Sequence, residues 1–420
     1  MAKKNVNFKE LTLELNKEEK AMASGELGDA VEWAINHQIQ VGNFFDAKNF
    51  VPVSNVHMMI DPESVGIDGV LFLEKLVNMK AKVKIPMITD PRGVDLNYYT
   101  PLGQTEEMAN IERRTIKACT AMGILMTNTC VNYQTIMAPL LGEHVAYGDT
   151  GVVIYSNSVC GARSNYEGGP SALAAGLTGR TPRYGLHLEE KRIPTKKFCI
   201  KFEPSELTDW GLLGALIGKI SGSYWEVPII EGINNNPKSD ELKHFGASMA
   251  SYGSIPLFHM IGITPEAQNY TSKFINQLDE YEITIEDILS LKSQFGKKGD
   301  KIDVVVFAAP QLSIFEMQKV SELCFEKTFK VPVIICTSPQ VYADASRMKI
   351  IDQIEETGAK VLEGTCFYNQ YAREIGLANG WKRLMSNSAK IVNILGGYGY
   401  EPSLSSMEHC IDSAVAGEIV

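Results

Sequence analysis

The C-terminal part of the chain constrains the fold most, because short apolar runs alternate there with amphipathic stretches. Apolar runs at 304–308, 331–336 and 359–362 predict strands, and the stretches 313–326 and 339–356 have helical periodicity. Strands separated by helices pair in parallel through right-handed crossovers. The pattern therefore predicts an α/β fold with a parallel sheet, in which ligands lie beyond the carboxyl ends of the strands.

The rest of the chain predicts further lobes. A chain of 420 residues exceeds one typical hydrophobic core, so we divide it into lobes at 1–200, 201–300 and 301–420. Both helical and strand patterns occur in the first two lobes. The predicted helices there are 12–37, with glycine breaks, 105–122, 172–177 and 207–220, and the predicted strands are 50–60, 81–88, 124–127 and 198–202.

Composition and charge exclude several classes of protein. The chain has 40 Lys and Arg against 50 Asp and Glu, which argues against the clustered basic surface that nucleic-acid binding needs. It contains no apolar run long enough to span a bilayer and no secretory pattern at the N-terminus, so we expect a cytoplasmic protein without membrane contact. Eight cysteines without a CxxC pair indicate free thiols or metal ligands.

Residues 142–187 crowd charged and amide side chains among many glycines. Glycines let the backbone approach a ligand closely, and polar side chains between them can converge on one small molecule. The segment therefore favours a site for a hydroxylated acid or a similar anion. The alternative is a Gly-rich loop region with solvated charges. The side chains concerned are Glu143, His144, Asp149, Asn157, Arg163, Asn165, Glu167, Arg180, Arg183 and His187.

A helix start inside this segment offers an anion site. Pro170 is favoured just inside a helix start, where free backbone amides can hold a carboxylate or phosphate. Gly168, Gly169 and Ser171 supply these positions, and Arg163 could add a bidentate clamp. The alternative is a capped helix with surface arginines. His144 could serve as acid or base near neutral pH, or could instead be held by a backbone carbonyl.

Polar groups also follow predicted strands in the first and third lobes. Asp90 and Arg92 lie in a turn after the strand 81–88, where polar groups can converge. Cys130 and Cys366 each end a Thr-Cys pair after a strand. Thiolates are soft ligands for iron, so the two cysteines could converge on one metal or cluster. The alternative is that both are small side chains packed in the core.

At the motifs GEHVAYGD, NSVCGARSNYEGGPSALAAGLTGRTPRYGLH and SDELKHFGASMASYGSIPLFHMIGITPEA, the sequence resembles the aconitase X family, in its large subunit or catalytic domain. The resemblance covers essentially the whole chain. It implies an aconitase-like, multi-lobed α/β/α architecture with parallel sheets and a hydro-lyase reaction on a small hydroxy acid. It implies two candidate reactions, dehydration of cis-3-hydroxy-L-proline or of mevalonate 5-phosphate. We favour the proline substrate, because a phosphate would call for more Lys and Arg than the motifs offer.

The resemblance also implies iron or an iron–sulfur cluster where three cysteines meet. Cys130 and Cys366 match two of these thiols. The third belongs to a Gly-Cys-Pro-His motif, for which this chain has Ala308-Ala309-Pro310-Gln311, with Ala309 in place of cysteine and Gln311 in place of histidine. We therefore expect a two-thiol iron site completed by another group, or a site whose metal is held differently or absent.

The resemblance further implies which chain and which residues carry out each part of the reaction. A serine on a swivelling domain acts as base in aconitase-like enzymes, and no such domain follows the third lobe, so we expect a small partner subunit to carry it. Arg163, Asn165 and the amides near Gly168 and Gly169 would hold the substrate carboxylate, and His144 or Glu167 would assist proton movement. Two other classes stay open. They are a metal-free isomerase or racemase and a non-catalytic ligand-binding relative.

Overall fold

Three parallel β-sheets follow one another along the chain in the computed structural model, which describes residues 13–420. The α/β class with several parallel sheets, predicted from the sequence, is confirmed. The predicted helix 12–37 begins at Thr12, which lies outside the described residues. Within residues 13–420, no helix is long and apolar enough to cross a membrane.

The first lobe combines a parallel sheet with an antiparallel strand pair. Its helices are α1 (Lys17–Ala23), α2 (Asp29–Phe44), α3 (Pro62–Asn78), α4 (Glu106–Met122), α5 (Asn132–Thr135), α6 (Thr150–Ser158) and α7 (Gly169–Thr178). Its strands are β1 (Phe50–Pro52), β2 (Val56–Met58), β3 (Met87–Thr89), β4 (Ala146–Tyr147) and β5 (Arg180–Pro182). The parallel sheet has the order β3-β2-β4, and β1 pairs with β5.

The second lobe is a four-stranded parallel sheet with the order β8-β7-β6-β9. Two short 3₁₀ turns, Gly185–His187 and Glu189–Lys191, lead into it. Its strands are β6 (Lys196–Ile200), β7 (Pro228–Glu231), β8 (His259–Met260) and β9 (Asp279–Ile283). Its helices are α8 (Leu207–Ser221), α9 (Ser239–Gly253), α10 (Ser272–Ile275) and α11 (Ile285–Lys292).

The third lobe is a five-stranded parallel sheet with the order β12-β11-β10-β13-β14. Its strands are β10 (Val304–Leu312), β11 (Val333–Thr337), β12 (Lys360–Glu363), β13 (Arg383–Ser386) and β14 (Glu401–Leu404). Its helices are α12 (Ile314–Cys324), α13 (Pro339–Arg347), α14 (Ile350–Glu355), α15 (Ala372–Asn379), α16 (Ala389–Leu395) and α17 (Met407–Ala416). One apolar core, which includes Tyr147, Trp210 and Val306, joins this lobe to the other two.

Some sequence-based predictions of single elements are wrong. The predicted strand 81–88 forms only at its end, as β3, because its first residues hydrogen-bond to carbonyl groups of helices instead. Val83 N–H donates to Met122 O at the end of α4, and Lys84 N–H donates to a carbonyl of α7. The predicted strand 124–127 is a single bridge between Ile88 and Leu125. The predicted helix 339–356 is divided into α13 and α14 at Lys349, whose φ is 66°.

Glycines allow α8 and α9 to pack backbone against backbone. A Cβ added at Gly214 would lie 2.1 Å from Phe245 O, and one added at Gly218 would lie 2.6 Å from Met249 O. Side chains at these positions would force the helices apart. The close approach of α8 and α9 places the start of α9, including Lys243, against the end of β10.

We expect Gly214→Ala to lower the free energy of unfolding by about 1–3 kcal/mol, because the added methyl overpacks a backbone contact and α8 must shift. Urea unfolding measures this change. Gly397→Ala is the control, since nothing lies within 4 Å of a Cβ added there. An unchanged or raised stability for Gly214→Ala would contradict the packing of α8 on α9.

Candidate active site

Loops at the carboxyl ends of first-lobe and third-lobe strands meet at one place. Arg92, which follows β3, donates its N–H to Gly364 O at 2.8 Å and its Nη2 to Glu363 O at 2.7 Å. Asn128 and Thr365 are joined by the Gln311 side chain, which donates to both carbonyls. The two lobes therefore share one site wall, at the strand ends where α/β proteins place ligands.

The two cysteines of these loops lie close together. Cys130 and Cys366 are both buried, and the Cys366 thiol is near enough to affect the pKa of Cys130. Burial, together with the neighbouring thiol, raises the pKa of Cys130 well above its usual range. In the described chain the Cys130 sulfur is therefore a neutral thiol, and Gln311 N–H donates to it at 3.4 Å.

His57 and Asp90 form a buried contact beside the thiols. His57 Nε2 lies 2.7 Å from Thr129 O and 3.5 Å from Asp90 Oδ1. Burial lowers the pKa of His57 and raises that of Asp90 well above its usual value, so the contact is a neutral one although its distance fits an ion pair. Neither oxygen of Asp90 has a hydrogen-bond partner within residues 13–420. Both oxygens are free to bind a ligand.

A buried ion pair completes this group of side chains. Asp149 caps α6, and its Oδ2 lies 3.5 Å from Lys390 Nζ and 3.4 Å from Tyr368 Oη. Burial would raise the pKa of Asp149, but Lys390, together with the backbone N–H groups at the start of α6 and His57, holds that pKa below its usual value. Burial likewise opposes the charge on Lys390, and Asp149 with the nearby acidic groups raises the pKa of the ammonium above its usual value. Lys390 therefore places a buried positive charge in the site.

We define the central constellation by the residues that share this buried space. Seven of them contact another member or influence its pKa, and Arg92 contacts the backbone just before Cys366. The sequence analysis had selected Asp90, Arg92, Cys130 and Cys366 among them as site residues, and had named Asp149 among the polar side chains of 142–187. The members are His57, Asp90, Arg92, Cys130, Asp149, Cys366, Tyr368 and Lys390.

The sequence gave little indication that Lys390 and Tyr368 belong to the site, and somewhat more for Asp149 and His57. Lys390 lies on α16, a helix that the sequence analysis did not predict, and Tyr368 lies in a short turn after Cys366. Asp149 stands directly before an apolar helix, a position that an N-cap aspartate takes. His57 stands in a predicted strand, where a histidine is more often structural than functional. Only the fold shows that these residues meet.

Arg163 and Asn165 bind other protein groups. Arg163 Nη2 lies 2.6 Å from Glu189 Oε1 and 3.6 Å from Glu266 Oε1. Asn165 donates to Tyr184 O at 3.1 Å and accepts from the Leu186 N–H at 2.9 Å. Both side chains thus hold the turns that follow β5, and their predicted role in binding a substrate carboxylate stays a prediction.

The predicted catalytic residues His144 and Glu167 each contact another side chain of the segment 142–187. His144 Nδ1 and His187 Nδ1 are 2.9 Å apart, and burial lowers the pKa of both rings, that of His187 to about 3. Glu167 accepts a hydrogen bond from Thr181 Oγ1 at 2.7 Å, and burial raises its pKa to about 7. A carboxyl that titrates near neutral pH suits proton transfer, so this role for Glu167 also stays a prediction.

The predicted anion site lies at the start of α7. Gly168 is the N-cap residue and Gly169 the first helical residue. Ser171 Oγ lies 3.1 Å from His37 Nε2. A Cβ added at Gly169 would lie 3.0 Å from Met59 O, so this glycine lets the helix start approach the end of β2. The anion remains a prediction.

Sequence models of the aconitase X first, second and third domains match residues 12–190, 194–292 and 302–416. With its three α/β lobes and a buried site at their strand ends, the chain is an aconitase-type enzyme. It belongs to the aconitase X family, whose members found here are named dehydratases, which are hydro-lyases.

Relatives and a solved structure cover most of the chain. The phosphomevalonate dehydratase large subunit of Methanothermobacter thermautotrophicus is 33% identical over 384 residues, which are 91% of this chain and 94% of that protein. The cis-3-hydroxy-L-proline dehydratase of Pseudomonas aeruginosa is 27% identical over 410 residues, 95% of this chain and 69% of that protein. A crystal structure of Thermococcus kodakaraensis aconitase X superimposes with a TM-score of 0.87 at 28% identity, covering 96% of this chain and 100% of that one.

We expect Glu167→Gln to stabilise the protein at pH 8 but much less at pH 5. The folded pKa of about 7 lies above the ordinary 4.5, so folding favours the protonated carboxyl and stability is lost as pH rises between these values. The gain at pH 8 over that at pH 5 should be about 2–3 kcal/mol, measured by chemical denaturation. Glu356→Gln, on an exposed residue, is the control. Equal effects at both pH values would show that Glu167 is ionised in the folded protein.

Proposed function

We propose that this chain is the large subunit of a two-chain hydro-lyase that removes water from a small hydroxy acid. The observation that carries the proposal is the extent of the similarity. The chain spans 94% of the Methanothermobacter large subunit but 69% of the Pseudomonas dehydratase. The remaining third of the longer relatives is the part that a small subunit would supply, including the serine base expected from the sequence.

We further propose phosphomevalonate as the first substrate to test. The sequence analysis favoured cis-3-hydroxy-L-proline, but relatives named for phosphomevalonate reach 33% and 32% identity, against 28% and 27% for those named for hydroxyproline. The higher identity and the matching length support the alternative reading over the first one.

The second candidate is cis-3-hydroxy-L-proline, and the pairing of the arginines favours it. Arg163 pairs with Glu189, Arg180 with Glu18 and Glu19, and Arg192 with Glu266. Three guanidinium groups in the Gly-rich region or shortly after it are therefore neutralised by glutamates. A substrate without a phosphate needs fewer free cations than phosphomevalonate.

The central constellation supports a division of roles. The Lys390 ammonium contacts Asp149 and Thr150 and has a third N–H that it can donate to an anionic substrate. Arg92 Nε is buried and has no hydrogen-bond partner within the described residues, so this N–H is free for a carboxylate oxygen. The free oxygens of Asp90 can bind the substrate hydroxyl that leaves as water. The partner serine would remove the proton, and a closed site would exclude bulk water.

Bound iron or an iron–sulfur cluster stays a prediction, and the described residues do not supply a complete set of ligands for it. Cys130 and Cys366 supply two sulfurs, and the methyl group of Ala309 cannot ligate a metal. Across residues 13–420, no three His, Cys, Asp or Glu side chains are grouped so that they could hold a metal ion. The described residues therefore do not fit a cluster held by three protein ligands, and none of the proposed residue roles depends on such a cluster.

The substrate test combines the chain with its small partner, purified anaerobically, and follows water loss from each acid by NMR. We expect turnover of phosphomevalonate with a kcat/KM at least tenfold above that of cis-3-hydroxy-L-proline, because the enzyme distinguishes substrates by transition-state binding. The reverse ratio would establish the second candidate. Folded complex that binds either acid without turnover would overturn the hydro-lyase proposal.

We expect Lys390→Met to reduce kcat/KM by about 100-fold or more, since it removes a buried charge from the site and leaves Asp149 uncompensated. Lys197→Met is the matched control, because Lys197 is also buried and paired with acidic groups but lies on β6. Activity is compared at equal folded fraction, judged by thermal unfolding. Equal losses in both variants would show that Lys390 acts only through stability.

A further inference from the structure

Gln311 is a fully buried glutamine near the end of β10, and its carboxamide is hydrogen-bonded on every side. Its Oε1 accepts the Cys130 N–H at 3.2 Å. Its Nε2 lies 3.0 Å from Thr365 O, 3.2 Å from Asn128 O and 3.3 Å from Thr337 O. One side chain therefore contacts three separate loops.

The contacts fix the orientation of this carboxamide. An amide nitrogen carries two hydrogens and its oxygen only accepts. The oxygen faces the single N–H, and the nitrogen faces three carbonyls, so one hydrogen is shared between two of them. Turning the amide over would set its oxygen against three carbonyl oxygens and its nitrogen against the Cys130 N–H. The hydrogen-bond network thus allows only one orientation.

The three loops carry both thiols. Asn128 and Cys130 belong to the first lobe, Thr337 ends β11, and Thr365 directly precedes Cys366. Gln311 N–H also donates to Cys130 Sγ at 3.4 Å. The position of Cys130 relative to Cys366 therefore depends on one carboxamide that binds the backbone on both sides.

The backbone of Gln311 is itself anchored by a buried ionic group. Lys243 Nζ donates to Gln311 O at 3.2 Å and pairs with Glu316 and Asp240. Glu316 also accepts from His244 Nε2 at 2.7 Å. Charges that compensate one another in the interior hold a geometry firmly, because breaking one contact leaves another charge unpaired. Asp240, Lys243 and His244 of this group belong to the SDELKH motif, which the proposed reaction does not use.

The residues on either side of Gln311 are anchored too. Ser388 Oγ donates to Ala309 O at 2.6 Å, and Thr337 Oγ1 donates to Leu312 O at 2.7 Å. The segment 309–312 therefore has hydrogen bonds from α9, β11 and the start of α16. It provides a fixed support from which the Gln311 side chain reaches the thiol loops.

We propose that Gln311 is a positioning residue, whose carboxamide holds the Cys130 and Cys366 thiols together by hydrogen bonds from one anchored strand end. Ala309 and Gln311 stand where the family resemblance places a cysteine and a histidine. The carboxamide keeps the two thiol loops in place without a third metal ligand. This inference concerns the geometry of the thiols and does not depend on which acid the enzyme dehydrates.

Gln311→Met tests the proposal, because methionine has a similar length and volume but forms none of the four carboxamide hydrogen bonds. The first readout is the infrared S–H stretching band of Cys130 and Cys366, assigned by difference spectra with Cys130→Ala and Cys366→Ala in the complex as purified. We expect the bands of both thiols to shift in Gln311→Met, because the surroundings of both sulfurs change when the loops move.

Gln38→Met is the matched control for packing and burial. Gln38 is also buried on α2, where its carboxamide donates to Arg180 O and accepts from Thr178 Oγ1, away from the thiol loops. Both variants should lose stability, while only Gln311→Met should shift the S–H bands. Unshifted bands in folded Gln311→Met would overturn the proposal. If the wild type shows neither S–H band, the sulfurs are thiolates, and the amide hydrogen exchange described next decides.

Amide hydrogen exchange provides a second readout that needs no turnover. The Cys130 N–H bonds to Gln311 Oε1, so it should exchange about tenfold faster in Gln311→Met, whereas the Thr129 N–H, which bonds to Thr89 O, should change little. If Gln311→Met does not fold, the wild type still decides, because rapid exchange of the Cys130 N–H in folded protein contradicts the hydrogen bond. Failure of either acid as a substrate would leave these results unchanged.

Discussion

The hydrogen bonds between first-lobe and third-lobe loops are the contacts on which the rest of the site depends. Arg92 binds the backbone after β12, and Gln311 binds the backbone on both sides of the junction. Parallel strands end in loops whose carbonyls and amides need partners once they are buried. Here the loops of one sheet supply partners for those of another, so satisfying the backbone also assembles the site.

Burial decides the charge state of the groups at this junction. Asp149 remains ionised because Lys390 lies beside it, whereas Asp90 has no such partner and is kept neutral by the same environment. Glu316 is ionised like Asp149, because Lys243 and His244 together outweigh burial and lower its pKa to about 2. The interior therefore holds one kind of carboxyl that carries a proton and another that carries a negative charge. A hydro-lyase needs a proton for the hydroxyl that leaves as water.

The sequence was sufficient for some parts of the site and insufficient for others. Cys130, Cys366 and Asp90 were selected because each follows a predicted strand, and strand ends of parallel sheets converge. Lys390 was missed because nothing near it in the sequence distinguishes its helix. Arg163 was selected for its charge, but its glutamate partners at 189 and 266 are distant in the chain. A local pattern reports that a residue is charged and does not report what neutralises it.

By itself, the sequence determined the α/β class, the alternation of the third lobe and membership of the aconitase X family, because periodicity and motifs are properties of neighbouring residues. It also showed that Ala309 replaces an expected thiol. Only the tertiary structure decided that Gln311, 181 residues from Cys130, binds its backbone amide. It also decided which buried carboxyls stay charged. Both depend on contacts between distant segments, and burial makes such contacts strong enough to set geometry and protonation.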